Sequence, residues 1–392
     1  MEKRNFILTT LFFTGCLFLL LVLNLSSVSA QQKSSLKLGI NLDVTGSAGW
    51  TGEPCQRGIQ LFVDQINAKG GINSHPLELV IYDNESNPEK SATITKKLIQ
   101  RDNVIAIFGT VLASTSNAAK PFAQEEKIVL YTFSASFEPN YPDSFSFSTM
   151  VPTIGMVESI YDYLTEKKMK RVAILCGTDS TGQTWFEETN KAAKKYGFEV
   201  ANERFNIKDM DVTAQLTKLK AFNPQSLVVG SAGIANGVVV KNFNQMGFKI
   251  PYITGSGNVS DSFLKMMVGN EPDLLLLPAP YYVVWRELPD SFPQKRLMQE
   301  FTEAFQKKFQ KEADMYAAEA YDGARIVAEA IRQVNATGQK DGVKIRDAIE
   351  KIKGLPAVYG KTYTLSKSDH RGHYKEALVM VQVKEGKFVM AK

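Results

Sequence analysis

The sequence predicts an α/β fold arranged as two successive units. Three observations carry that prediction. Short apolar runs alternate with amphipathic stretches of helical period along most of the chain. The alternation ends near residue 150 and then restarts. No stretch rich in Pro, Gly and Ser separates the halves, so short crossovers join them instead of a flexible linker. Strand–helix alternation of this kind implies parallel sheets covered on both faces.

The elements follow in order. Leu36–Leu42 reads as a strand and Glu53–Lys69 as a helix, with Ile59, Phe62, Val63 and Ile66 on one face and Gly70-Gly71 ending it. Leu77–Tyr82 is a strand, and Asn87–Arg101 a helix with Pro88 in its first turn. Val104–Phe108 (strand), Ser114–Glu126 (helix) and Ile128–Phe133 (strand) complete the first unit. The second runs Thr153–Glu166 (helix), Arg171–Cys176 (strand), Gln183–Tyr196 (helix) and Phe198–Phe205 (strand). It continues through Val212–Phe222 (helix), Ser226–Val229 (strand), Ala235–Met246 (helix), Tyr252–Thr254 (strand) and Leu274–Leu277 (strand). Helices at Pro293–Phe309, Asp314–Val334 and Val343–Ile352 precede strands at Tyr359–Leu365 and Ala377–Lys387, with Glu385-Gly386-Lys387 marking a hairpin turn.

The chain has 392 residues, 44% hydrophobic and 22% charged, which excludes a disordered or fibrous protein. A net charge of +5 without a Lys/Arg tract argues against a nucleic-acid partner. Residues 1–30 stand apart. Glu2, Lys3 and Arg4 open a nearly continuous apolar run from Phe6 to Leu25, and Val28-Ser29-Ala30 offers small residues before a cut after Ala30. That is the pattern of a secretory signal peptide, and the polar Gln31–Ser35 that follows favours cleavage over a retained membrane anchor. A third reading, lipidation at Cys16, has against it an apolar run continuing past that residue. Cleavage removes 30 residues and one net positive charge, leaving 362 residues at +4 with two cysteines, Cys55 and Cys176. Lying in different units, these read as buried free thiols, although an exported protein could pair them.

Catalytic and metal motifs are missing: no G-x-G-x-x-G after a strand, no phosphate-binding P-loop, no G-x-S-x-G elbow. His370-Arg-Gly-His373 has no ligating partner nearby and reads as a solvated loop. Glu125-Glu126 and Glu187-Glu188 read as solvated helix faces. Nothing points to a cofactor, a metal or an enzyme.

Three loops at the C-terminal ends of strands carry the functional signal, because open α/β sheets bind ligands there. Asp43–Gly52 sets Trp50 among small residues, suiting it to contact a ligand rather than plug a core. Gly109–Ser116 leads into a helix whose unpaired N–H groups, with the hydroxyls of Ser114 and Thr115, suit a carboxylate. The bland alternative is N-capping by Ser114 or Thr115. Thr132–Pro139 places Ala135 and Ser136 between Phe133 and Phe137, candidate walls of an apolar pocket.

LKLGINLDVTG, RGIQLFVDQINAKGGI, LELVIYDNESNPEKSATITKKLI, VIAIFGT and AAEAYDGARIVAEAI together resemble the periplasmic ligand-binding proteins of the branched-chain amino-acid (Leu/Ile/Val-binding) type. The resemblance spans essentially the whole mature chain. It implies two Rossmann-like lobes of periplasmic binding protein type I, joined by a three-crossover hinge. One lobe would take residues 36–149 plus about 283–354, the other 150–282 plus about 355–392. It implies that Ser114, Ala135 and Ser136 hold a ligand carboxylate, with Thr51 or its neighbour Trp50 at the family's aromatic position. The second lobe departs from the family. Thr181 in Asp179-Ser180-Thr181-Gly182 stands where amino-acid binders have Tyr, and Thr254-Gly255-Ser256-Gly257-Asn258 lacks the acid that holds an ammonium. A carboxylate ligand without an α-amino group follows, with Tyr281, Tyr282 and Trp285 as further wall candidates and Asp179 as a weak substitute acid.

The functional expectation is an exported receptor of an ABC importer. It would act as a monomer in the periplasm, close on a small carboxylate, either branched-chain amino acid-like or aromatic/hydrophobic, and deliver it to a membrane permease. A ligand-sensing subunit for a signalling partner is the alternative, and a secreted α/β enzyme a more remote one.

Overall fold

Strand β1 (Leu36–Leu42) lies inside a five-stranded parallel sheet and is buried along its length except at half-buried Lys37, as a strand covered on both faces should be. The computed structural model describes residues 33–391. The signal-peptide and Cys16 readings fall outside them. Among the described residues, no helix is long and apolar enough to cross a membrane.

The first sheet has the order β2-β1-β3-β4-β5, with β2 at Leu77–Asp83, β3 at Ala106–Phe108, β4 at Val129–Thr132 and β5 at Ser146–Ser148. Every pair is parallel. Helices α1 (Gly49–Asn67), α2 (Pro88–Gln100) and α3 (Ala113–Glu125) follow β1, β2 and β3. Asn87 caps α2 by accepting from Lys90 N at 3.0 Å.

The second sheet is seven-stranded. β6 (Arg171–Gly177) lies between β7 (Glu199–Phe205) and β8 (Ser226–Gly230), and β9 (Tyr252–Thr254) and β10 (Leu275–Pro280) extend the parallel part. β13 (Leu378–Lys384) and β14 (Lys387–Met390) close it antiparallel, their hairpin turning at Glu385-Gly386 with both φ positive. Helices α4 (Thr153–Glu166), α5 (Ser180–Tyr196), α6 (Thr213–Ala221), α7 (Gly233–Gln245) and α8 (Asp261–Met267) belong to this half.

The chain then returns to the first sheet through α9 (Lys295–Phe309), α10 (Met315–Val334) and α11 (Gly342–Ile349). Two glycines let α10 settle there. A Cβ at Gly58 of α1 would stand 2.2 Å from the Ala317 carbonyl oxygen, and one at Gly323 would stand 3.0 Å from the Tyr131 ring. Strand membership changes once, after β5; the packing of α10 on α1 brings the chain back to the first half after β10, and β13 returns it to the second sheet after α11, three crossings in all.

Several expectations need correction. α1 starts at Gly49, so Trp50 and Thr51 stand in its first turn and not in a loop. Sequence reading missed β5, whose three residues with one apolar member are too few to show a period, and α8, whose seven residues make barely two turns. The expected strand Tyr359–Leu365 shrinks to β12 (Thr362–Tyr363), paired with β11 (Leu355–Pro356). Tyr359 N donates to Asp322 Oδ2 at 2.8 Å, drawing this segment onto α10. The His370–His373 stretch is buried, not solvated. Arg371 is 3% exposed and donates to five groups, the carbonyls of Ser134, Ala135, Phe137 and Met150 and the Ser148 hydroxyl. Cys55 and Cys176 are both buried and free.

Candidate functional site

Both sheets reverse strand order at one point, and open α/β sheets bind ligands outside strand C-termini at such points. In the first sheet the reversal lies between β1 and β3, in the second between β6 and β8. The loops leaving these four strands therefore define the candidate site.

In the first half, Asp43 follows β1 and joins the two loops. Its buried carboxylate accepts from Val111 N at 2.9 Å and from Thr115 Oγ1 at 3.1 Å. Asn84 Nδ2 approaches it at 3.4 Å. Burial pushes the Asp43 carboxyl above its ordinary range, and these three donors pull the other way. The result is a fixed start for α3. Its N-cap is Leu112, which makes no side-chain cap, so neither Ser114 nor Thr115 plays the expected capping role. Thr115 is an interior strut, bonded to Asp43 and to the Leu112 carbonyl at 3.1 Å. Ser114 is exposed at the helix N-terminus. That leaves unpaired N–H groups and a free hydroxyl together at the switch point.

The third loop behaves differently. Ala135 and Ser136 are half-buried, and Ser136 Oγ lies 3.3 Å from Thr153 Oγ1 at the first crossover. Phe133 and Phe137 are each 1% exposed. They support the loop from inside the core and do not wall a pocket; alternation along a buried strand end looks the same in sequence as a pocket lining. Thr51 is also interior, donating to the Ala48 carbonyl at 2.8 Å.

Trp50 is half-buried and meets Tyr316 of α10 edge-on, with ring centroids 5.5 Å apart. Both residues reach the second half. A Cβ at Gly233, at the start of α7, would stand 3.9 Å from Trp50 Nε1, and Tyr316 Oη donates to the Gly257 carbonyl at 3.0 Å. Sequence reading missed Tyr316. The clue was an aromatic residue two positions after Asp314, the N-cap of α10, but the flanking helix made it look like core.

In the second half, Asp179 caps α5, its Oδ1 accepting from Gly182 N at 3.2 Å. Thr181 is half-buried in the same turn. Ser256 is buried and donates to the Pro278 carbonyl at 2.8 Å, making it a loop strut. Asn258 accepts from Gly233 N at 3.0 Å and donates to the Ser231 carbonyl at 2.9 Å, tying the loops after β8 and β9 together. Trp185 closes the floor: a Cβ at Gly255 would stand 2.3 Å from it.

Tyr281 opens the second crossover, against Phe292 at 5.1 Å and with Lys361 above its ring. Tyr282 is core, hydrogen-bonded to Thr302 Oγ1 at 2.9 Å, and Trp285 stacks with Arg286 at 4.8 Å. The structure thus sets Trp50 and Ser114 after β1 and β3, at the switch point of the first sheet, and Thr181 after β6, at that of the second, while Ala135 and Ser136 follow β4, one strand away from the reversal.

Acid stands near Tyr316 after all. Half-buried Asp314 accepts from Ala317 N at 2.9 Å. Desolvation, together with the neighbouring charges of Asp261 and Glu53, raises its carboxyl to about 6.

A family model described as periplasmic binding protein matches residues 35–387. The chain is 26% identical over 344 residues to a Leu/Ile/Val-binding protein homolog 2 of Brucella abortus, covering 86% of this chain and 88% of that one. It is 25% identical over 321 residues to a leucine-, isoleucine-, valine-, threonine- and alanine-binding protein of Pseudomonas aeruginosa, covering 80% and 82%. In structure it is similar to an extracellular ligand-binding receptor from Rhodopseudomonas palustris, with a TM-score of 0.83, 22% identity and coverage of 92% and 100%. It is also similar to an isoleucine-bound branched-chain amino acid transporter substrate binding protein from Streptococcus pneumoniae, with a TM-score of 0.75, 23% identity and coverage of 91% and 99%.

Proposed function

The chain belongs to the periplasmic binding protein family, and from that premise we propose that it captures a small organic carboxylate for an ABC importer. The relatives are substrate-binding receptors, not enzymes, and the function is capture without turnover. The observation that carries the carboxylate is the uncapped start of α3 with Ser114 exposed beside it. Asp43 holds that terminus in place before ligand arrives, so little ordering cost falls on binding.

Closure is the mechanism. Trp50 and Tyr316 from one lobe meet Gly233 and Gly257 from the other, so a ligand touching both sides favours the shut form. The lobes of this reading are 36–149 with about 283–354, and 150–282 with about 355–392. The protein works in the periplasm after cleavage near Ala30 and hands its cargo to a membrane permease.

On this reading the ligand lacks an α-amino group, since the loop after β9 offers no acid. One observation favours a second reading, an amino acid. Asp314, two residues before Tyr316, feels the charges of Asp261 and Glu53 and would welcome an ammonium.

Calorimetric titration decides between the two. Branched-chain amino acids and their deaminated counterparts, short branched and aromatic carboxylates among them, are titrated in parallel. Tight binding of the carboxylates alone supports the first reading, and tight binding of the amino acids alone the second. Binding of neither class overturns the carboxylate site itself.

A further inference from the structure

Eleven buried side-chain polar atoms have no hydrogen-bond partner in the protein among the described residues, and six of them lie in one place. They are Tyr131 Oη, Glu319 Oε2, Tyr359 Oη, Arg371 Nε and both ring nitrogens of His373. All five side chains are at least nine-tenths buried. They come from three separate pieces of the fold: β4, α10 and the last crossover.

Contacts bind the group into one region. His373 lies 5.6 Å from the Tyr359 ring and 4.6 Å from the Tyr363 ring, centroid to centroid. Tyr363 Oη reaches Asp322 Oδ2 at 3.5 Å, and Gly323, next in sequence, abuts the Tyr131 ring. Thr149 Oγ1 donates to Glu319 Oε1 at 3.4 Å, which leaves Oε2 over. The Arg371 charge acts on Tyr131, Tyr359, Glu319 and His373 alike.

Among the described residues, only the Thr149 backbone, beside the His373 ring, stands near enough to help. Both Nη groups of Arg371 are taken by backbone carbonyls and the Ser148 hydroxyl, so its Nε points elsewhere. The rings of Tyr131 and Tyr359 are locked in the core. Leaving six such groups unpaired would cancel much of what a folded domain gains.

We propose that this interior, where β4, α10 and the last crossover meet, holds a cluster of bound water molecules that completes their hydrogen bonding. Water suits the site because donors and acceptors are mixed. Arg371 Nε donates only, the tyrosine hydroxyls do either, and a neutral imidazole offers one of each. Burial lowers His373 to about 3 and pushes the Glu319 carboxyl well above its usual range, so both favour their neutral forms. With about three bonds per buried water, six atoms and their neighbours call for about two waters. These waters would join α10 to the crossover that carries the chain back to the second sheet.

Magnetic relaxation dispersion of the water oxygen tests this on the whole protein. Wild type is compared with the double variant Tyr359→Phe, His373→Phe, which removes three of the six atoms. The expected result is a long-lived internal-water signal in wild type that drops by about one water in the variant. An equal signal in both overturns the proposal. A high-resolution crystal structure of the unsubstituted protein covers the case in which the variant fails to fold. Ordered waters bonded to Tyr359 and His373 support the proposal. Direct protein–protein pairing of those atoms overturns it, as does a halide seen there by bromide anomalous scattering.

Discussion

Tyr316 Oη donates to the Gly257 carbonyl at 3.0 Å, a bond from the first turn of α10 to the loop after β9. Its two ends belong to different sheets, so it exists only when the halves are together. Tyr316→Phe keeps the edge-on contact with Trp50 and removes only this bond. A single neutral hydrogen bond contributes about 1 kcal/mol. Ligand affinity is therefore expected to fall about fivefold, with little change in thermal midpoint. Small-angle scattering of the ligand-saturated variant should still show the compact form; an unchanged affinity would mean the bond does not belong to closure.

Ser114 and Asp43 separate binding from folding. Ser114 is exposed, so Ser114→Ala should leave stability within about 0.5 kcal/mol. A hydrogen bond to a charged group contributes about 1.5–3 kcal/mol, so carboxylate affinity should drop between about 10- and 100-fold. Asp43→Ala removes the acceptor for Val111 N and Thr115 Oγ1, two buried donors. It should lower stability by about 2–4 kcal/mol as well as weakening the ligand. Calorimetry and denaturant melts on the same samples distinguish the two patterns.

The lobes and the site were unevenly legible in the sequence. Strands β6 and β8 announced themselves because they are buried on both faces and read as nearly unbroken apolar runs, and β1 because Leu36, Leu38, Ile40 and Leu42 alternate through it. Ser114 and Trp50 were found from small-residue loops after strands. Tyr316 was not, because a helix start against another helix has the same apolar period whether or not its tip meets the opposite lobe. Thr115 and Ser256 show the reverse error. A hydroxyl in a loop looks the same whether it faces a ligand or a carbonyl, and only the partners, Asp43 and Pro278, tell them apart. Arg371 carried no local signal, since its partners are more than two hundred residues earlier in the chain.

Gly255 is where the second lobe has no room. An added Cβ would stand 2.3 Å from Trp185 Cζ2, and Trp185 is itself 5% exposed and held by Gly230 on its other side. Gly255→Ala should therefore lower the denaturant midpoint, corresponding to about 1–3 kcal/mol, without altering the slope. Adding Trp185→Phe makes space, so the double variant should lose less than the sum of the two single losses. Strict additivity would show that the glycine is needed for some other reason.

Asp314 gives a pH dependence whose sign is fixed. Its carboxyl titrates at about 6 in the folded protein, against 3.8 for a free aspartate side chain. Between those values the folded form holds a proton that the unfolded chain has released, so this group makes stability fall as pH rises from about 4 to about 6. Asn at the same position still caps α10 through its side-chain oxygen and cannot ionise. Asp314→Asn should therefore match wild type at pH near 4 and exceed it at pH near 7, measured by denaturant melts at both values. A variant less stable at neutral pH would mean that the helix start gains more from the negative charge than crowding by Asp261 and Glu53 costs. The same variant reports on the ligand. If an ammonium rests beside this carboxylate, amino-acid affinity falls with the substitution, and if the cargo is a plain carboxylate, affinity holds or rises as a nearby negative charge is removed.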